Sequence, residues 1–127
     1  MDAKNQDLDA LLEVVVGACY EVSNVLGANF LEKVYERALL KELATRGLSA
    51  RSQVVFLVTY KGDPVGEYRA DLIVEDALAV ELKCVDCLAT EHLAVCINYL
   101  KASNLKLALL VNFQHPKVEW RRIVFNR

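Results

Sequence analysis

Between Tyr68 and Lys83 the stretch YRADLIVEDALAVELK sets Asp71, Glu81 and Lys83 among residues otherwise suited to burial. Two carboxylates and an ammonium at this spacing could hold a hard divalent cation and offset charge beside it. Side chains alternate faces along a strand, so Arg69, Asp71 and Ile73 share one face while Ala70, Leu72 and Val74 share the other. In the following segment Ala79, Glu81 and Lys83 divide from Leu78, Val80 and Leu82 in the same way. Burial selects a register that keeps apolar rows together. A loop from Glu75 to Ala77 then pairs Val74 with Leu78 and sets Asp71 opposite Glu81, their Cβ atoms about 5 Å apart. Two carboxylates so placed repel by roughly 3 kcal/mol at an effective dielectric near 20, so a cation between them is expected. Two readings follow: Asp71 and Glu81 hold Mg²⁺ with Lys83 beside it, or a polar sheet face carries a solvated salt-bridge cluster.

Other constellations are weaker. Cys84-x2-Cys87-x4-His92-x3-Cys96 approaches zinc spacing, but Cys84 continues an apolar strand and Cys96 lies on an apolar helix face, which fits small buried thiols better. Arg121, Arg122, Arg69, Lys61 and Lys101 either line a phosphate groove or form an ordinary solvated surface. Trp120 reads as packing, and no Ser/His/Asp set or Gly-rich phosphate loop is present.

The elements that must position these groups can be read from periodicity. Apolar residues at helical spacing run from about Gln6 to Leu26 and stop at Gly27. A second helix carries Leu31, Val34, Tyr35, Ala38, Leu39 and Leu43 on one side, with Asn29 as N-cap and Gly47 past its end. Strand patterns follow in QVVFLVTY, EYRADLIV and LAVELKC, then a helix from about Thr90 to Ala102, then LKLALLVNF and VEWRRIVF. The order ααβββαββ, without linker or repeat, predicts a single α/β domain over residues 1–127 with a mixed sheet flanked by helices.

At 127 residues the chain supports one core, and a net charge of −2 gives no global field for a polyanion. The acidic N-terminal stretch does not read as a signal peptide, and no segment is apolar enough to span a membrane, so a cytoplasmic protein with reduced thiols is expected.

Asp71, then Glu81-x-Lys83 in consecutive strands with helices before and after, resembles the PD-(D/E)XK nuclease superfamily. LGANFLEKVYERAL, YRADLIV, VELK, NYL and LLVNF are similar, in that order, to the small bacterial GxxExxY proteins, from about Leu26 to the C-terminus. The resemblance implies a restriction-endonuclease-like core and a nuclease that hydrolyses phosphodiesters in nucleic acid, DNA being the commoner substrate of such folds. It makes Asp71 and Glu81 the metal ligands for Mg²⁺, with Mn²⁺ as a substitute. Lys83 becomes the residue that orients or activates water. Glu32 and Tyr35 fall on the family's E-x-x-Y, so Glu32 becomes a candidate catalytic residue, and Tyr35 and Arg69 candidate substrate-binding residues. Each also has a structural reading: Asn29 and Glu32 fit a capping box, Tyr35 fits a core position, and Lys83 could merely snorkel. The sequence departs from the family at Asn29, where glycine is expected, and at Val95, where a polar Gln is expected. The second departure opens an alternative: a catalytically impaired nuclease-fold module that binds nucleic acid or a protein partner. A homodimer is a further expectation, since so small a domain covers little of a duplex.

Overall fold

Leu12, Val15, Cys19 and Val22 recur at helical spacing and are buried, forming the inner stripe of α1 (Ala3–Leu26). The computed structural model describes the backbone of residues 3–126 and the side chains of residues 7–126. Gly27, at φ 75°, ends α1 with its N–H bonded to Ser23 O at 2.8 Å. Asn29 then adopts φ 78°, a left-handed conformation that asparagine tolerates.

That turn overturns the expected capping box. The N-cap of α2 (Glu32–Thr45) is Leu31, without a side-chain cap bond, because Asn29 is spent on the turn and lies too early to cap. The inner stripe of α2 is also rotated from expectation: Tyr35, Glu36, Leu39 and Leu43 are buried, while Leu31 is 79% exposed. At the other end Leu48 N–H reaches Leu43 O and Gly47 N–H reaches Ala44 O, with Gly47 at φ 81°. This is a Schellman ending, which requires the glycine.

Five strands form one sheet in the order β1-β2-β3-β4-β5: β1 (Ala50–Tyr60), β2 (Asp63–Val74), β3 (Leu78–Lys83), β4 (Leu107–Asn112) and β5 (Glu119–Val124). All neighbours are antiparallel except β3 and β4, which are parallel and joined by α3 (Thr90–Ser103). A parallel pair needs such a crossover, and its strands become the most buried, as the wholly buried Leu107–Asn112 illustrates. The observed order ααβββαββ and the mixed sheet agree with the reading of the sequence.

Two apolar layers sandwich the sheet. Leu72, Val74, Leu78, Val80, Leu82, Leu107, Leu109 and Val111 pack against α1 and α2, whereas Ile73, Ala79, Ala108, Leu110 and Ile123 pack against Cys96 and Leu100 of α3. Simple alternation fails at one place. Ala70, expected with Leu72 and Val74, joins Ile73 on the α3 side, so the strand changes parity between Ala70 and Leu72. Cys19 and Cys96 lie in opposite layers.

Candidate active site

The β2–β3 hairpin takes the expected register, Val74↔Leu78, Ile73↔Ala79 and Leu72↔Val80. The ladder then stops one pair short of Asp71 and Glu81. In place of a backbone bond, Asp71 Oδ2 accepts the Leu82 N–H at 2.8 Å, so the carboxylate closes the gap where the two strands part. The parity change at Asp71 causes this: an aspartate turned into the sheet plane satisfies a β3 donor that a regular strand would have met with its own carbonyl.

Glu81, 5% exposed, faces α3, where the Tyr99 hydroxyl lies 3.3 Å from each of its carboxylate oxygens. Burial first, and the adjoining Asp71 carboxyl second, push the Glu81 carboxyl up to about 8, against an opposing pull from Lys83. Lys83 Nζ stands 3.5 Å from Glu81 Oε2 at the open end of β3. Burial and the Glu81 charge raise the Tyr99 phenol, which therefore stays a donor, and they push the Cys96 thiol up to about 12, which keeps it protonated. The loop beyond Lys83 is pinned by Asn112, fully buried, whose amide bonds both the N–H and the C=O of Val85.

The fold thus brings together Asp71, Glu81 and Lys83, the three residues singled out by spacing. Glu32 is exposed at the first turn of α2, and among the described residues no hydrogen bond or ion pair joins it to the trio; its charge is felt instead by the Cys84 thiol, which burial mainly raises. Tyr35 is fully buried, stacked on Phe113 with centroids 4.7 Å apart, and its hydroxyl donates to Gly27 O. It packs in the core and fixes the α1–α2 turn, the structural reading of this residue. Arg69 is exposed on β2 opposite Val55. Arg121 and Arg122 lie on β5, three strands away, where they pair with Glu119 and Asp9 rather than joining Arg69 in a groove.

Residues that spacing did not reveal also meet here. Glu36 of α2, 6% exposed, receives Lys33 Nζ at 3.1 Å and Gln53 Nε2 at 2.6 Å, and the same Gln53 nitrogen lies 3.5 Å from Asp71 Oδ1. Tyr99 stands one helical turn beyond Val95, so α3 does supply a polar group to the pair, from a different position than expected. Only the NYL segment of the sequence hinted at it.

A buried Glu81 carboxyl beside the half-buried Asp71 carboxyl suits a hard, oxygen-seeking cation, and relief of their mutual repulsion would favour its uptake. Among the described residues no cluster of three or more His, Cys, Asp or Glu side chains forms a ligand set. The Cys84–Cys96 segment therefore forms no zinc site: Cys96 is buried under the sheet and His92 Nδ1 accepts the Ala89 N–H at 2.9 Å.

Among solved structures, the chain is similar to SSO0001, at 18% identity and a TM-score of 0.61, over 75% of this chain and 50% of that one. It spans about half the length of that protein. It also matches an alkaline exonuclease (LHK-Exo) from Laribacter hongkongensis, at 12% identity and a TM-score of 0.49, over 85% of this chain and 76% of that one. No curated protein matches the chain. No helix among the described residues is long and apolar enough to cross a membrane. The sequence profile of the PD-(D/E)XK nuclease superfamily matches residues 9–123, a span that runs from α1 into β5 and includes the trio at the parting of β2 and β3, and the chain belongs to that superfamily.

Proposed function

We propose that the protein is a Mg²⁺-dependent nuclease that hydrolyses phosphodiester bonds in nucleic acid, with DNA as the favoured substrate and Mn²⁺ as an acceptable substitute. The observation that carries this reading is the Asp71–Glu81 pair, in which burial first and the Asp71 carboxyl second push the Glu81 carboxyl up to about 8, beside the Lys83 ammonium. Asp71 and Glu81 would hold the cation, which when bound supplies Lewis-acid polarisation and charge neutralisation at the phosphate. Leu82 N–H fixes Asp71, and the Tyr99 hydroxyl fixes Glu81, so neither carboxylate must reorganise. Lys83 orients the attacking water and offsets the negative charge that grows on the phosphoryl oxygens. Arg69 is a candidate for phosphate contact outside the pair, and Glu32 for a role near the end of β3. The order of segments further supports a place among the GxxExxY proteins.

The test is cleavage of single-stranded, double-stranded, nicked and branched DNA and of RNA, with Mg²⁺, Mn²⁺ or EDTA, for wild type and Asp71→Asn. Cleavage that needs the cation and falls at least about 100-fold in the variant is expected, since the substitution removes an anionic ligand. Metal-independent cleavage, or equal rates, would sink the reading. Val95 on α3 favours a second possibility, a module that binds nucleic acid or a protein partner without cutting, and retention of a substrate that is never cleaved would support it.

A further inference from the structure

Of the described non-glycine residues with positive φ, Gln53, at 54°, is the one inside a strand. For an L-residue other than Gly, Asn or Asp this conformation is disfavoured by the Cβ clash with the backbone. If β1 needed only the kink, a glycine or asparagine would provide it more cheaply, so the long amide side chain is itself what the position requires. Its Nε2 bridges Glu36 Oε1 at 2.6 Å and Asp71 Oδ1 at 3.5 Å, while Lys33 occupies the other Glu36 oxygen at 3.1 Å. Asp71 in turn has no ladder partner on either side. The β1–β2 pairing passes from Ser52↔Leu72 to Val54↔Ala70, and the β2–β3 pairing ends at Leu72↔Val80. The sheet therefore does not set the orientation of the Asp71 carboxylate; Leu82 N–H on Oδ2 and the Gln53 amide on Oδ1 do so, together with the hydrogen bond to the Glu81 carboxyl.

We propose that Gln53 is a positioning residue for Asp71, anchored by the buried Glu36, and that the strained kink in β1 exists to aim its amide. An amide suits this place because it offers two N–H donors to two carboxylates, where a cationic side chain would compete with a metal and a carboxylate would repel both. The consequence for metal uptake, though not for the placement of Asp71, rests on the reading of Asp71 as a ligand.

Two variants separate the amide from the kink: Gln53→Gly frees the backbone, whereas Gln53→Glu keeps length and backbone but removes both donors. Amide hydrogen exchange of Leu82 in the metal-free folded protein at pH 8 reads the Asp71 bond directly, and calorimetry with Mn²⁺ reads ligand geometry. Exchange at Leu82 about tenfold faster in both variants is expected, with other β3 amides unchanged and Mn²⁺ affinity about tenfold weaker. Leu82 protected as in wild type in either variant overturns the proposal, and loosening in Gln53→Gly alone assigns the effect to chain flexibility and overturns it too. If wild type takes up no Mn²⁺ while Leu82 loosens in both variants, the positioning role stands and the metal reading fails.

Discussion

Glu81 holds its proton because burial and the Asp71 carboxyl both penalise its charged form. With its folded value near 8 against an ordinary 4.5, the native state carries a proton that the unfolded chain has released between those limits. Its contribution to stability is thus fully present below about 4.5 and lost as pH rises through about 8. In EDTA, Glu81→Gln should match wild type near pH 4 and exceed it at pH 9 by on the order of 2 kcal/mol, read from thermal midpoints across pH. Millimolar Mg²⁺ should reverse the order at pH 9, since only wild type gains substantially from binding. A difference between the two proteins that stays flat with pH would contradict a Glu81 carboxyl raised in the folded state. Lys83 acts on the same group from its other side, at 3.5 Å, and lowers its proton affinity. Lys83→Ala should abolish hydrolysis yet leave Mn²⁺ affinity at pH 9 within about tenfold, roughly 1.4 kcal/mol, because an ammonium supplies charge rather than coordination. A larger loss of affinity would make Lys83 part of the binding site instead.

Each residue is held in place by the way its element ends. β3 delivers Glu81 and Lys83 in a row because β4 pairs with it in parallel from Leu78↔Leu107 to Lys83↔Asn112. At that last pair Asn112 binds Val85 through both amide atoms, accepts the Gln114 N–H and donates to Glu119, so one buried side chain ties the ends of β3, β4 and β5. Asn112→Ala leaves the Val85 groups without partners and should cost about 2 to 4 kcal/mol, measured by urea denaturation. A loss below about 0.5 kcal/mol, the size of an ordinary surface change, would show that water replaces the amide at no cost. α3 contributes Tyr99 to the pair and Cys96 and Leu100 to the layer beneath the sheet, so the helix that makes the parallel crossover also closes the site.

For the whole molecule, a net charge of −2 gives no global field to draw in a polyanion, and the basic residues are spread over several elements, α2, β2, α3 and β5 among them. Binding to duplex DNA in EDTA should therefore be weak, with a shallow dependence of log K on log salt, a slope of magnitude about 3 or less. If Asp71 and Glu81 hold the cation as proposed, Ca²⁺ should tighten binding by about tenfold or more, since it would replace repulsion of phosphate with attraction. Fluorescence anisotropy over a salt series checks both. A steep slope in EDTA would reveal a cationic face that dispersed residues do not suggest.

The sequence by itself determined whatever depends on neighbours along the chain. Alternation and a three-residue loop were enough for the Val74↔Leu78 register, and hence for bringing Asp71 and Glu81 together, because period 2 leaves a buried hairpin little other choice. Helix stops at Gly27 and Gly47 were legible for the same local reason, a positive φ that glycine meets at least cost. Tertiary structure alone decided what lies across the fold. Glu36 carries no mark of its own in the sequence and is buried only once α2 packs on the sheet, and Gln53 reads as the start of a strand until its kink aims it at Asp71. Tyr99 meets Glu81 only after the α3 crossover, and Tyr35, already on the apolar stripe of its helix, finds its stacking partner Phe113 far away in sequence. A break in alternation at a single residue, such as the one at Asp71, leaves no trace in hydrophobic pattern, because its cause is a side chain replacing a backbone bond between strands.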